Sequence, residues 1–114
     1  MRTTTDDNGD ITTLHLRGRL TADRFDERLP DIIRRMVGQD ARVFVLDLRE
    51  VSYMDSTCIG ELVSGLLTVR KSGGTLLLAS PTPRIERLLM VAGLTSVFQT
   101  FRSEQEAVLS LQES

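Results

Sequence analysis

Two apolar runs leave this chain few ways to fold. Val43-Phe44-Val45-Leu46-Asp47-Leu48 and Thr75-Leu76-Leu77-Leu78-Ala79 carry almost no polar alternation. A strand that is apolar on both faces must be covered on both, as happens in parallel sheets flanked by helices. The segments that follow these runs have helical period. Ile59, Leu62, Val63, Leu66 and Leu67 recur at helical spacing after Ser56, as do Ile85, Leu88, Leu89 and Ala92 after Pro83. Strands alternating with helices imply right-handed crossovers and an α/β fold.

Local punctuation supplies the other elements. A weak strand at residues 2–5 and a second at 11–17, with Thr12, Leu14 and Leu16 on one face, flank Asp7-Asn8-Gly9-Asp10. Asn-Gly is a strong hairpin signal, and Gly18 is expected to end the second strand. From Asp23 onward, Phe25, Leu29, Ile32, Ile33 and Met36 predict a helix that opens with a short turn, kinks near Pro30 and stops at Gly38. The next helix runs from Ser56 to about Ser72 and closes on Gly73-Gly74. Ser80-Pro81-Thr82-Pro83 puts Pro83 at the first position of a helix that Gly93 ends. Residues 97–101 read as a last strand. Ser103-Glu104-Gln105-Glu106 is a capping-box pattern for a final helix docked by Ala107, Val108 and Leu111. The order β-β-α-β-α-β-α-β-α predicts a mostly parallel sheet of four to five strands with about four helices. Residues 1–114 are expected to form one domain.

Composition narrows the function classes. A net charge of −2 provides no electrostatic footprint for nucleic acid or an anionic membrane. The apolar runs are far too short for a bilayer span, and the first residues, Met1-Arg2-Thr3-Thr4-Thr5-Asp6-Asp7, do not form a signal peptide. Cys58 is the single cysteine, which excludes an intramolecular disulfide and fits a reducing, cytoplasmic setting. No nucleophile elbow, P-loop or dinucleotide fingerprint is present. His15, between Leu14 and Leu16, reads as a solvent-facing strand residue, and one His with one Cys makes no zinc site. Asp6, Asp7 and Asp10 lack the spacing of a calcium loop. Cys58 reads as a small packing residue. No enzymatic activity, cofactor or metal is expected.

The chemistry concentrates at Met54-Asp55-Ser56-Thr57-Cys58-Ile59-Gly60, where a strand passes into a helix. Ser56 sits at a helix start, where backbone N–H groups and the helix dipole favour an anion, including a phosphate on the serine itself. Asp55 and Ser56 fit plain helix capping as well. Asp55 and Glu61 would add negative charge nearby. Cys58, Gly60, Ser64 and Gly65 are small, which suits close approach by another chain, and this face is expected to be exposed.

Junction and element order together resemble the STAS domain family, specifically its stand-alone anti-sigma factor antagonists. There an apolar-Asp-Ser-[Ser/Thr]-Gly-[Leu/Ile]-Gly stretch carries a phosphorylated serine. The resemblance implies Ser56 as phosphoacceptor and Thr57 as a secondary candidate. It implies a partner surface drawn from Thr21, Met54, Asp55, Ser56, Thr57, Ile59, Gly60, Ser64 and Thr82. The implied partner is an anti-sigma factor with serine kinase activity, bound until Ser56 is phosphorylated. Two positions depart from the pattern: Cys58 stands where glycine is usual, and Thr21 replaces the acid in Gly18-Arg19-Leu20-Thr21-Ala22. The resemblance also takes in structural or regulatory subunits of stressosomes and lipid-transport complexes, in which Ser56 would only cap a helix. Oligomeric state is left open.

Overall fold

A computed structural model describes the backbone of residues 2–8 and, with side chains, residues 11–23 and 27–112. The chain order is β1 (Arg2–Asn8), β2 (Ile11–Leu20), α1 (Leu29–Gly38), β3 (Val43–Met54), α2 (Ser56–Lys71), β4 (Thr75–Ala79), α3 (Pro83–Val91), β5 (Thr100–Phe101) and α4 (Glu104–Gln112). The strands lie in the order β1-β2-β3-β4-β5. β1 is antiparallel to β2, and the other three pairings are parallel. Gly9, Asp10 and Phe25, and the side chains of Asp6 and Asp7, fall outside the described residues.

The unalternating runs are buried on both faces, as expected. Leu14, Leu16, Phe44, Leu46, Leu48, Leu76 and Leu78 pack under α1, α2 and α3 through Ile33, Leu62, Leu66, Ile85 and Leu89. On the other face Ile11, Val45, Leu77 and Ala79 meet Ala107 of α4. Each such aliphatic side chain contributes about 1.5–3 kcal/mol when fully buried.

Five local expectations are corrected. Gly18 does not end β2; it takes a φ of +87°, and register shifts between His15 and Arg17 and between Gly18 and Arg19 carry the strand on to Leu20. Pro30 does not kink α1. The helix starts at Leu29 with Pro30 in its first turn, where the missing N–H would have no intrahelical partner anyway. The last strand shrinks to Thr100–Phe101 because Val97 N–H closes a turn on Leu94 C=O at 3.0 Å and Phe98 drops into the core. Leu67 is 54% exposed, since the buried stripe of α2 is Cys58, Leu62, Gly65, Leu66 and Val69. His15 is not solvent-facing: α4 covers that face, and its Nδ1 lies 2.8 Å from Asp47 Oδ2.

β3 and β4 start side by side because Thr75 N–H donates to Arg42 C=O at 2.8 Å. That approach requires glycine at 74, where a Cβ would lie 2.0 Å from the Arg42 carbonyl oxygen. Gly74→Ala is expected to cost about 2–3 kcal/mol of stability through this backbone clash, measured by urea denaturation.

Candidate functional site at the start of helix α2

β3 delivers Asp55 to the carboxyl end of the sheet, beside the end of β2. Asp55 N–H donates to Leu20 C=O at 3.0 Å. Its carboxylate then serves two segments. Oδ1 accepts from Cys58 N–H at 2.9 Å, capping α2, and Oδ2 accepts from Ala22 N–H at 2.8 Å, holding the loop after β2. The Cys58 and Ala22 amides, with a smaller pull from Arg28, hold this carboxyl below its ordinary value of 3.8 against a modest desolvation effect.

Asp55, and not Ser56, is therefore the cap of α2. Ser56 occupies the first helical position and is exposed, as is Thr57. Ile59 N–H already donates to Asp55 C=O. The Ser56 and Thr57 N–H groups have no hydrogen-bond partner among the described residues, which is the usual state of a first turn. They lie at the positive end of a 16-residue helix.

The other predicted site residues divide. Gly60 is exposed with open space where a Cβ would stand. Thr21 is half-buried, its hydroxyl donating to Asp23 Oδ1 at 2.7 Å. Thr82 caps α3 by accepting from Ile85 N–H at 3.2 Å. Ser64 is half-buried, and its carbonyl accepts from the Thr68 hydroxyl at 3.0 Å. Ile59 is partly buried against the core. Met54 is only 2% exposed and belongs to the core, so it offers no surface to a partner. The small residues do not form one exposed face: Cys58 and Gly65 point inward, and a Cβ on Gly65 would lie 2.6 Å from Ile33 Cδ1. Gly65 serves the α1–α2 contact.

Glu61 does not add free charge, because Arg28 Nε donates to its Oε2 at 2.7 Å while Arg28 Nη1 reaches Ala22 C=O at 3.3 Å. This bridge between the start of α1 and the second turn of α2 carried no local signal, its partners lying 33 residues apart. Desolvation, with the Asp55 hydrogen bond and the charges of Asp55 and Glu61 behind it, pushes the Cys58 thiol up to about 12. A thiol so placed is neither nucleophile nor ligand. Away from the junction, His15, Asp47 and Glu104 bring ligand-type atoms within 4.8 Å of one another. Both Asp47 oxygens are engaged within the sheet, by His15 and by the Arg49 N–H at 3.1 Å, while Glu104 Oε2 of α4 lies 4.0 Å from His15 Nε2, so the group is a polar contact between the sheet and α4.

A mainly parallel sheet with an exposed serine at the helix start beyond its carboxyl edge defines a small α/β domain with a polar, solvent-facing strand–helix junction. The chain belongs to the STAS domain family, whose profile matches residues 2–107. It is similar to the anti-sigma-B factor antagonist of Bacillus subtilis (strain 168), 40% identical over 60 residues that make up 53% of this chain and 52% of that protein. The match thus spans about half the length of that relative. Among solved structures, an anti-sigma-factor antagonist (STAS) domain protein from Planctomyces limnophilus shares the fold with a TM-score of 0.84 at 22% identity, covering 96% of this chain and 97% of the other. The Bacillus cell fate determinant SpoIIAA in its phosphorylated form shares it with a TM-score of 0.75 at 19% identity, covering 96% and 99%.

Two outcomes test this geometry. Asp55→Ala should cost about 1–2 kcal/mol at neutral pH by chemical denaturation, as caps do. Because the folded-state pKa is depressed, the gap to wild type should be full above 3.8 and close as pH falls through the lower folded value. Cys58 should resist iodoacetamide at mildly alkaline pH in the native protein and react readily once unfolded in urea; equal rates would contradict its burial.

Proposed function

We propose that this chain is a non-enzymatic anti-sigma factor antagonist of the cytoplasm. On this reading it binds an anti-sigma factor with serine kinase activity and loses that binding when Ser56 is phosphorylated. One observation carries the reading: Asp55 does the capping, so Ser56 is exposed, with no hydrogen bond to its hydroxyl among the described residues, at a helix end that favours anions. The names of the Bacillus subtilis and Planctomyces limnophilus relatives support the same reading, and SpoIIAA keeps the shared fold in a phosphorylated form.

The physics of the switch follows from this position. A phosphate adds about −1.5 to −2 charge and three strong acceptors. The helix dipole and the N–H groups of Ser56 and Thr57 accommodate it, so the fold is kept. A partner surface seated on Ser56, Thr57 and Gly60 would have to desolvate that anion, so binding is lost. Thr57 is the secondary acceptor, and Ile59, Ser64, Thr21 and Thr82 lie at the margin of this surface.

Incubation with ATP and the cognate anti-sigma kinase should add one phosphate at Ser56 by intact-mass and fragment analysis, and Ser56→Ala should abolish it. Label found only elsewhere would refute the assignment. Ser56→Asp should leave the melting temperature within a few degrees of wild type and weaken binding to the anti-sigma factor about tenfold or more, a loss above ~1.4 kcal/mol.

A further inference from the structure

Four arginines pair with carboxylates, Arg17 with Glu50, Arg28 with Glu61, Arg34 with Asp31 and Arg35 with Glu27, and Arg42 and Arg70 donate to backbone carbonyls. Arg19 and Arg84 do neither among the described residues. Both are exposed, and neither has a carboxylate partner among the described residues. Both instead approach the ring of Tyr53, with guanidinium carbons 4.9 Å and 5.4 Å from its centroid. Those distances are within cation–π range. Tyr53 lies three residues before Ser56.

Neither arginine has an obvious structural purpose. Arg84 is in the first turn of α3, the end at which a helix dipole disfavours cations. Arg19 follows Gly18, whose positive φ and the adjoining register shift bring Arg19 opposite Tyr53 on β3. Bulges of this sort re-aim a side chain at the end of a sheet. Arg87, also exposed, lies three residues beyond Arg84 and shares its helix face. The result is a small cationic surface, held by an aromatic ring, at the end of the sheet that carries Ser56. Too few cations are gathered, on a chain of net charge −2, for a nucleic-acid footprint.

We propose that Arg19, Tyr53 and Arg84 form a docking surface for an acidic segment of a protein partner, which a phosphate on Ser56 opposes. The second half rests on the phosphoacceptor reading above; the first does not. Guanidiniums already stacked on a ring lose little freedom on pairing with carboxylates. A phosphoserine at the same end repels the incoming carboxylates and competes for the same cations.

Two measurements decide it. In calorimetry with the cognate anti-sigma factor, the double variant Arg19→Gln/Arg84→Gln should bind about tenfold more weakly at low salt and show a flatter salt dependence than wild type. Its melting temperature should be unchanged, and Arg34→Gln should bind like wild type. Unaltered affinity and salt dependence in the double variant would overturn the surface. If the wild-type protein binds no anti-sigma factor, the functional reading falls and the second measurement judges the surface alone. That measurement is an NMR titration of the free protein with an oligoglutamate peptide. Side-chain signals of Arg19 and Arg84 and the ring of Tyr53 should shift selectively, and the shifts should vanish in the double variant. Uniform or absent shifts would overturn the surface, and shifts undiminished in Ser56→Asp would overturn its opposition by phosphate.

Discussion

The carboxylate of Asp55 is the interaction on which the junction depends. One oxygen accepts from the Cys58 amide in the first turn of α2, and the other ties in the loop after β2 at Ala22. With the Asp55 amide bonded to Leu20, three segments meet on a single residue. Charge-assisted bonds to backbone amides are stronger than neutral ones. The low pKa of this group is the electrostatic trace of that arrangement. Because Asp55 takes the capping role, the next residue is left to face solvent.

That division separates the residues that fix the fold from those that face solvent. Met54 and Cys58, on either side of the hydroxyl pair, are buried and fix the path of the chain. Ser56, Thr57 and Gly60 lie outward on the same turns. Cysteine at 58 suits this role: it fills the space under the turn, and its raised thiol pKa keeps it chemically silent. The Arg28–Glu61 bridge adds a second tie between the starts of α1 and α2.

Much of this was legible in the residues. The unalternating runs 43–48 and 75–79 announced strands buried on two faces, and glycines and prolines marked most helix ends within a residue or two. Where the reading failed, a tertiary effect had overridden a local one. Helical period placed Leu67 in the core and Ser64 outside, but the direction of α2 against α1 is set by Gly65 on Ile33. Adjacency to the motif suggested a surface role for Met54, whereas β3 runs on to that residue and points it inward. His15 looked exposed because the cover supplied by α4 lies some ninety residues away. The choice of Asp55 over Ser56 as cap was undecidable from sequence, since both are good caps and only the backbone angles distinguish them.

The two edges of the sheet are unequal. One ends on β5, a strand of two residues, too short to template another chain. The other is the seven-residue β1, whose sequence RTTTDDN is rich in threonine, a strong strand former, and carries charge at Arg2, Asp6 and Asp7. Strand addition is therefore closed by length at the β5 edge, and of the two edges only β1 is long enough to accept a further strand.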